Sequence, residues 1–251
     1  MRHRVLIAVL AAVLTAGSGF SLPEPARAVE GAPQAAENHQ ELRILVAEGE
    51  GRSYWPNWRG PSGQGVVEGS AYPDTWSDTE NVLWKTPVPG IGHSSPIVWG
   101  NQIFLTTGYD GGTRMTLLSF DRGSGEQRWE TAVPFDSREH IHTKNSHASA
   151  TPVTDGELVF ASFGHQGMMA VDFDGNLVWH NKIEDLSNYH GSAGSPVLYE
   201  DEVIIYQDHG GASFVAAFDK RTGDVVWRTK RDAGVGWGTP IVIDTGERDE
   251  L

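Results

Sequence analysis

The stretch His140-Ile141-His142-Thr143-Lys144-Asn145-Ser146-His147 places three imidazoles, an ammonium and an amide side by side. Neutral imidazole ligates transition metals, so His140, His142 and His147 are candidate metal ligands. In an extended backbone His140 and His142 point the same way. No carboxylate can be assigned to complete the shell, and the alternative is a polar loop that hydrogen-bonds its neighbours. Ser94, Ser95 and Ser192 have histidines nearby in the chain, but a nucleophile also needs a positioned base and an orienting third group. The glycine-rich runs 108–112 and 208–211 read as hairpin loops, because neither opens a helix that could cradle a phosphate.

The elements that position these groups are written as a repeat. Ser213 to Arg228, SFVAAFDKRTGDVVWR, reads as strand, tight turn and strand, with Asp219 to Gly223 supplying the turn chemistry. Two earlier copies, 115–130 and 169–180, carry Asp121 and Gly125 ahead of Trp129, and Asp172 and Gly175 ahead of Trp179. In all three the Gly precedes the Trp by four residues. With Trp84 added, the tryptophans recur at intervals of 45, 50 and 48, the period of a four-stranded β-propeller blade. After each tryptophan comes a small-small-Pro-apolar segment, at 94–100, 150–156, 194–200 and 238–244. Small residues suit the crowded innermost strand, and a Pro at its start loses no essential ladder donor.

The fold expected is therefore all-β: four-stranded antiparallel blades, about three of them plus the first strand of a fourth. Their spans are about 84–131, 148–183 and 191–231, with the next beginning at 236–251. A large ring can dock between neighbouring blades if its N–H finds an acceptor such as a turn carbonyl. Strand order then decides which loops share a face. His93, His140, His142, His147 and His190 fall in connections between blades, and His165 and His209 in loops between second and third strands. Seven of the ten histidines thus belong to one face, at the channel mouth.

The chain opens with Arg2 and Arg4, an apolar run from Val5 to Gly17 and an Ala26-Arg27-Ala28 site, the pattern of a secretory signal over 1–28. The run is too short to span a bilayer, which takes about 20 apolar residues. Residues 29–53 read as a flexible linker with at most a short helix near 40–48, and the propeller as 54–251. The aromatic leader 54–66 is expected to pack its rings on the first blade. The net charge is −14; removing 1–28 takes away three of 19 Lys and Arg and one of 33 Asp and Glu, leaving −16. Such an acidic chain lacks the basic footprint of a nucleic-acid binder. With no cysteine it uses no disulfides. These features predict a periplasmic or secreted protein without a membrane span. The last strand lacks its blade partners, so Leu251 reads as a truncation point, with the remaining blades needed to close the ring. The closing Arg248-Asp249-Glu250-Leu251 reads as a turn cut within a blade rather than as a retrieval tail.

The turn AFDKRTGDVVW (217–227), the leader WPNWRGPSGQGV (55–66) and the segment NVLWKTPVPGIGHSSPIVWG (81–100) resemble the pyrroloquinoline quinone (PQQ) β-propeller repeat family, quinoprotein alcohol dehydrogenase-like, in its bacterial exported members. The resemblance covers about residues 54–251. It implies the fold and, less sharply, the activity, since the repeat serves quinoprotein dehydrogenases and also an outer-membrane assembly lipoprotein that binds no quinone. If PQQ with calcium is bound, the resemblance makes Lys144, Asn145, His190 and Trp237 the candidate cofactor residues. Trp237 would stack on the ring, Lys144 would meet a carboxylate and Asn145 would serve a metal. The chain departs from the dehydrogenases in lacking their adjacent cysteines, and no Asp can be assigned as base, because Asp121, Asp172 and Asp219 belong to opposite-face turns. The expectation is a binding or scaffold module acting on a protein partner or small ligand through the His-rich face. The alternatives are a PQQ- and calcium-dependent dehydrogenase of an alcohol or sugar, or metal chemistry at His140, His142 and His147.

Overall fold

A computed structural model describes residues 42–45, 47–67, 69–70 and 72–251. The signal segment 1–28 and most of the expected linker lie outside the described residues. The described part of the linker holds a short strand, β1 (Arg43–Ile44), and a 3-10 turn at Gly49–Ser53, with no helix.

Three four-stranded antiparallel sheets follow, each with its strands in sequence order. Blade 1 is β2 (Ile97–Trp99), β3 (Gln102–Tyr109), β4 (Arg114–Asp121) and β5 (Gln127–Ala132). Blade 2 is β6 (Val153–Thr154), β7 (Leu158–Ser162), β8 (Met168–Asp172) and β9 (Leu177–Asn181). Blade 3 is β10 (Val197–Tyr199), β11 (Glu202–Gln207), β12 (Phe214–Asp219) and β13 (Val225–Lys230). A fourth inner strand, β14 (Ile243–Asp244), pairs with β15 (Asp249–Glu250) on one side and β1 on the other. The final residues are thus the hairpin that follows an inner strand, and the other edge of that strand is covered by the leader. Blade 1 proper begins at Ile97, so Trp84 stands outside the sheets, in the place an outer-strand tryptophan of a preceding blade would take.

Alternation along single strands builds the core. On β8, Met169 and Val171 pack with Phe104, Leu117 and Val159 between blades 1 and 2. Met168 and Ala170 pack with Phe160, Val203, Phe214 and Phe218 between blades 2 and 3. Side chains two apart share a face, so blade 2 is apolar on both sides because each side meets another blade.

Two repeated polar contacts lock the blades. At the rim, the indole N–H of Trp84 donates to the Arg122 carbonyl, Trp129 to Phe173 and Trp179 to Lys220, each at 2.9 Å and each in the next blade's turn. Two residues on, Thr86, Thr131 and Asn181 donate to the carbonyls of Gly125, Gly175 and Gly223. Each of those glycines has positive φ and lies under the docked ring, where a Cβ would collide with the indole. One extra residue, Arg128, Val178 or Val226, bulges out of the outer strand just before its tryptophan. A bulge bends its strand and re-aims the next side chain, here toward the neighbouring blade. Trp227 donates instead to Glu202 of its own blade, 2.9 Å away.

At the hub, the residue before each inner-strand proline matters for its hydroxyl as well as its size. The Ser95 N–H donates to Thr151 Oγ1, Thr151 N–H to Ser195 Oγ and Ser195 N–H to Thr239 Oγ1, at 3.0–3.2 Å. The small-small-Pro motif is therefore a hydrogen-bond relay around the channel as well as an answer to crowding.

Replacing Trp179, which is 7% exposed, with Ala should cost about 3–5 kcal/mol, while Trp227→Ala should cost under half of that; comparable losses in urea melts would contradict the inter-blade role. The turn carboxylates add a pH dependence. The guanidinium of Arg128 and the backbone N–H groups of Ser124 and Gly123 hold Asp121 down from 3.8 to about 2. Backbone N–H groups of Thr222 and Arg221 likewise lower Asp219. Groups with a depressed folded pKa stabilise above their unfolded pKa and lose that contribution as pH falls through the folded value. Thermal stability should therefore drop between about pH 4 and pH 2, and Asp121→Asn should flatten that drop; an unchanged slope would remove Asp121 from the account.

Candidate functional site

Connections between blades, and loops between second and third strands, emerge on the same side of each antiparallel blade. His93, His140, His142, His147, His165, His190 and His209 all lie in such segments, whereas His180 sits in β9.

Part of this set forms a continuous array. The ring of His142 lies 5.1 Å from His190 and 5.7 Å from Tyr189, and Tyr189 meets His190 edge-on at 5.0 Å. His190 in turn meets Trp237 at 5.6 Å and 75°, and exposed His140 approaches Tyr189 at 6.2 Å. The array thus crosses three successive connections, 133–152, 182–196 and 231–242. Backbone bonds hold it. Asn145 Nδ2 donates to the His190 carbonyl at 2.7 Å, its Oδ1 accepts from Ser149, and Trp237 Nε1 donates to the Gly191 carbonyl at 3.0 Å. Tyr189 and Trp237 remain 65% and 45% exposed, so the array offers open aromatic faces.

The structure does not gather His140, His142 and His147 into one group, and among the described residues no three His, Asp or Glu side chains stand close enough to hold a metal ion. His142 Nδ1 accepts the Lys144 N–H at 3.1 Å, which leaves the proton of the neutral ring on Nε2. His147 Nε2 faces the Glu139 carbonyl at 3.0 Å and its ring lies on Gly112. His142 and His147 are committed to their own loop because a connection of this length must satisfy its backbone polar groups locally.

A planar quinone with carboxylates needs a flat floor, cations and a free metal-binding oxygen. Trp237 supplies a ring, but both ends of the Asn145 amide are already bonded. Three of the neighbouring cations are engaged by carboxylates, while the Lys144 side chain is in no ion pair among the described residues. Lys182 bridges Asp136 and Asp185 at 2.6 Å each, Arg228 pairs with Glu184, and Arg231 holds Asp208 through two bonds. Asn145, His190 and Trp237 are linked directly, and Lys144 adjoins them through its backbone N–H on His142.

The described serines and histidines form no acyl-transfer arrangement. Ser137 Oγ lies 2.9 Å from His165 Nε2 and Asp185 lies 3.5 Å from that same nitrogen, while buried Nδ1 has no partner. A working triad needs base and orienter on opposite ring nitrogens. The Ser94 hydroxyl is spent on Thr106, donating to its carbonyl and accepting its N–H. Beside His147 lies a small cavity of about 10 Å³, room for one water, lined by Glu139, Ser146, Ser149, Ser162 and Ser192. Burial pushes the Glu139 carboxyl up to about 7, and its Oε1 has no partner. Glu139 and Tyr189 are the site residues that the sequence did not single out. Neither belongs to a repeated motif, and the one available signal was their position in histidine-bearing connections.

No curated protein matches the chain. Among solved structures, a europium-containing methanol dehydrogenase is similar over 55% of this chain and 25% of its own, at 18% identity and a TM-score of 0.43. A quinohemoprotein alcohol dehydrogenase from Comamonas testosteroni covers 56% and 21%, at 17% identity and 0.43. BamB from Moraxella catarrhalis covers 64% and 60%, at 15% identity and 0.38. The chain thus spans less than two thirds of the length of each. The family model described as outer membrane protein assembly factor BamB, a model of PQQ-type repeats, matches residues 75–244, more than half of the chain. Blades locked by tryptophan and turn glycine agree with that match, and the chain belongs to this family of PQQ-like β-propeller repeats.

Proposed function

We propose that the chain is an exported binding or scaffold module whose working surface is the histidine-rich face of its channel. The observation that carries this reading is the His142, Tyr189, His190 and Trp237 array. It is built across three connections, pinned by backbone bonds and left open to solvent. Aromatic rings with a polar edge contribute much contact area at low entropic cost, which suits a protein partner. The basic and apolar start of the chain supports export to the periplasm, where the family's printed description also points. Among the described residues no helix is long and apolar enough to cross a membrane. The Asn145 amide, bonded at both ends, weighs against the alternative, a PQQ- and calcium-dependent dehydrogenase.

Two measurements separate these readings. Titrating PQQ with calcium into the full chain should give no one-to-one binding and no dye-linked alcohol oxidation; tight stoichiometric binding with cofactor absorbance would establish the dehydrogenase instead. A photo-crosslinking residue at Tyr189 should trap a protein in intact cells, and the adduct should weaken at least about tenfold with His142→Ala and His190→Ala together. The same probe at Arg122, on the opposite face, should trap none; equal adducts from both faces would sink the proposal.

A further inference from the structure

The opposite end of the channel holds a second feature. Aligning the four inner strands on their prolines places Val98, Thr154, Leu198 and Val242 at one equivalent position. In an antiparallel hairpin alternate residues turn their N–H and C=O away from the partner strand, so at this position they point into the channel. Val98 exchanges both bonds with Trp55, at 2.8 and 3.1 Å. The Thr154 N–H donates to the Pro56 carbonyl at 3.0 Å, and the Val242 carbonyl accepts from Leu45 at 2.9 Å. The leader, 43–63, therefore covers three of the four inner edges with its own extended backbone. Leu198 is the exception. It pairs with Val203 inside blade 3, and its inward N–H and C=O have no backbone partner among the described residues.

That edge faces a cleft of about 560 Å³, within the usual range for ligand sites. Ile44, Trp58, Trp99 and Ile241 give it apolar walls, and Glu48 and Glu200 line it with carboxylates that form no ion pair among the described residues; Lys220, which donates to the Glu200 carbonyl, has its charge engaged by Asp155 and Asp201. We propose that the cleft receives an extended, basic peptide segment that adds as a strand to the β10 edge at Leu198. Its backbone takes the two unpaired groups, as Trp55 does at Val98. Its apolar side chains enter the cleft, and a lysine or arginine meets Glu48 and Glu200. Strand addition of this kind derives affinity from main-chain bonds and specificity from alternate side chains. The inference is independent of the histidine face.

The test is amide hydrogen exchange on the full chain with the capped pentapeptide Val-Lys-Val-Lys-Val as probe. Without peptide, Leu198 should exchange faster than Val98, whose N–H is already bonded. At saturation the Leu198 amide should slow at least about tenfold while Val98 is unchanged. Methylating the central backbone nitrogen of the peptide, or exchanging its lysines for glutamates, should each weaken binding about tenfold or more. The double variant Glu48→Lys with Glu200→Lys should reverse the preference between the lysine and glutamate peptides; if that variant does not fold, loss of lysine-peptide affinity with added salt reads the same charge. Unchanged exchange at Leu198 with about 1 mM peptide, equal binding of both peptides, or indifference to N-methylation would overturn the proposal. The last outcome would leave the cleft as a small-molecule site.

Discussion

A buried indole N–H must find an acceptor, and in this chain it finds one in the next blade. Trp129 and Trp179 each lay the ring on a left-handed glycine and donate to a carbonyl of the same turn, while a bulge one residue earlier aims them there. The hydroxyl relay from Ser95 to Thr239 repeats the arrangement at the hub. Blades 1 and 2 pass donors to the next blade at both radii, whereas the Trp227 indole bonds inside its own blade.

The connections on one face carry the hub relay at their ends, and the histidines collect along the rest of them. The loops nevertheless remain ordered because they satisfy their own polar groups. Asn145 ties one connection to the next through the His190 carbonyl, and Lys182 ties two aspartates together. The same self-sufficiency holds His142 and His147 apart, since each of those imidazoles already holds a backbone group.

The other end of the channel is organised by backbone alone. The leader runs across the inner edges of β2, β6 and β14 and passes by β10. Its aromatic residues do pack on blade 1, as their composition suggests: Tyr54 meets Trp99 at 5.3 Å and Trp55 bridges to Val98. Their main chain reaches further than their rings.

The amino-acid sequence by itself determined the blade pattern, the order of strands and the face that carries the histidines. These follow from short-range facts: a turn Asp and Gly at a set distance from a Trp, and a Pro at the start of each inner strand. Such signals survive in sequence because they recur and because alternation sends every second residue to one side. Tertiary structure alone decided which acceptor each indole uses, that the residue before each inner proline serves through its hydroxyl, that Glu139 loses its water and that Leu198 keeps unpaired backbone groups. Each of these depends on a partner far away in the chain, about 40 to 50 residues for the blade contacts, the repeat period itself. A single occurrence such as Glu139 or Tyr189 carries no periodic mark, so only the packed molecule reveals it.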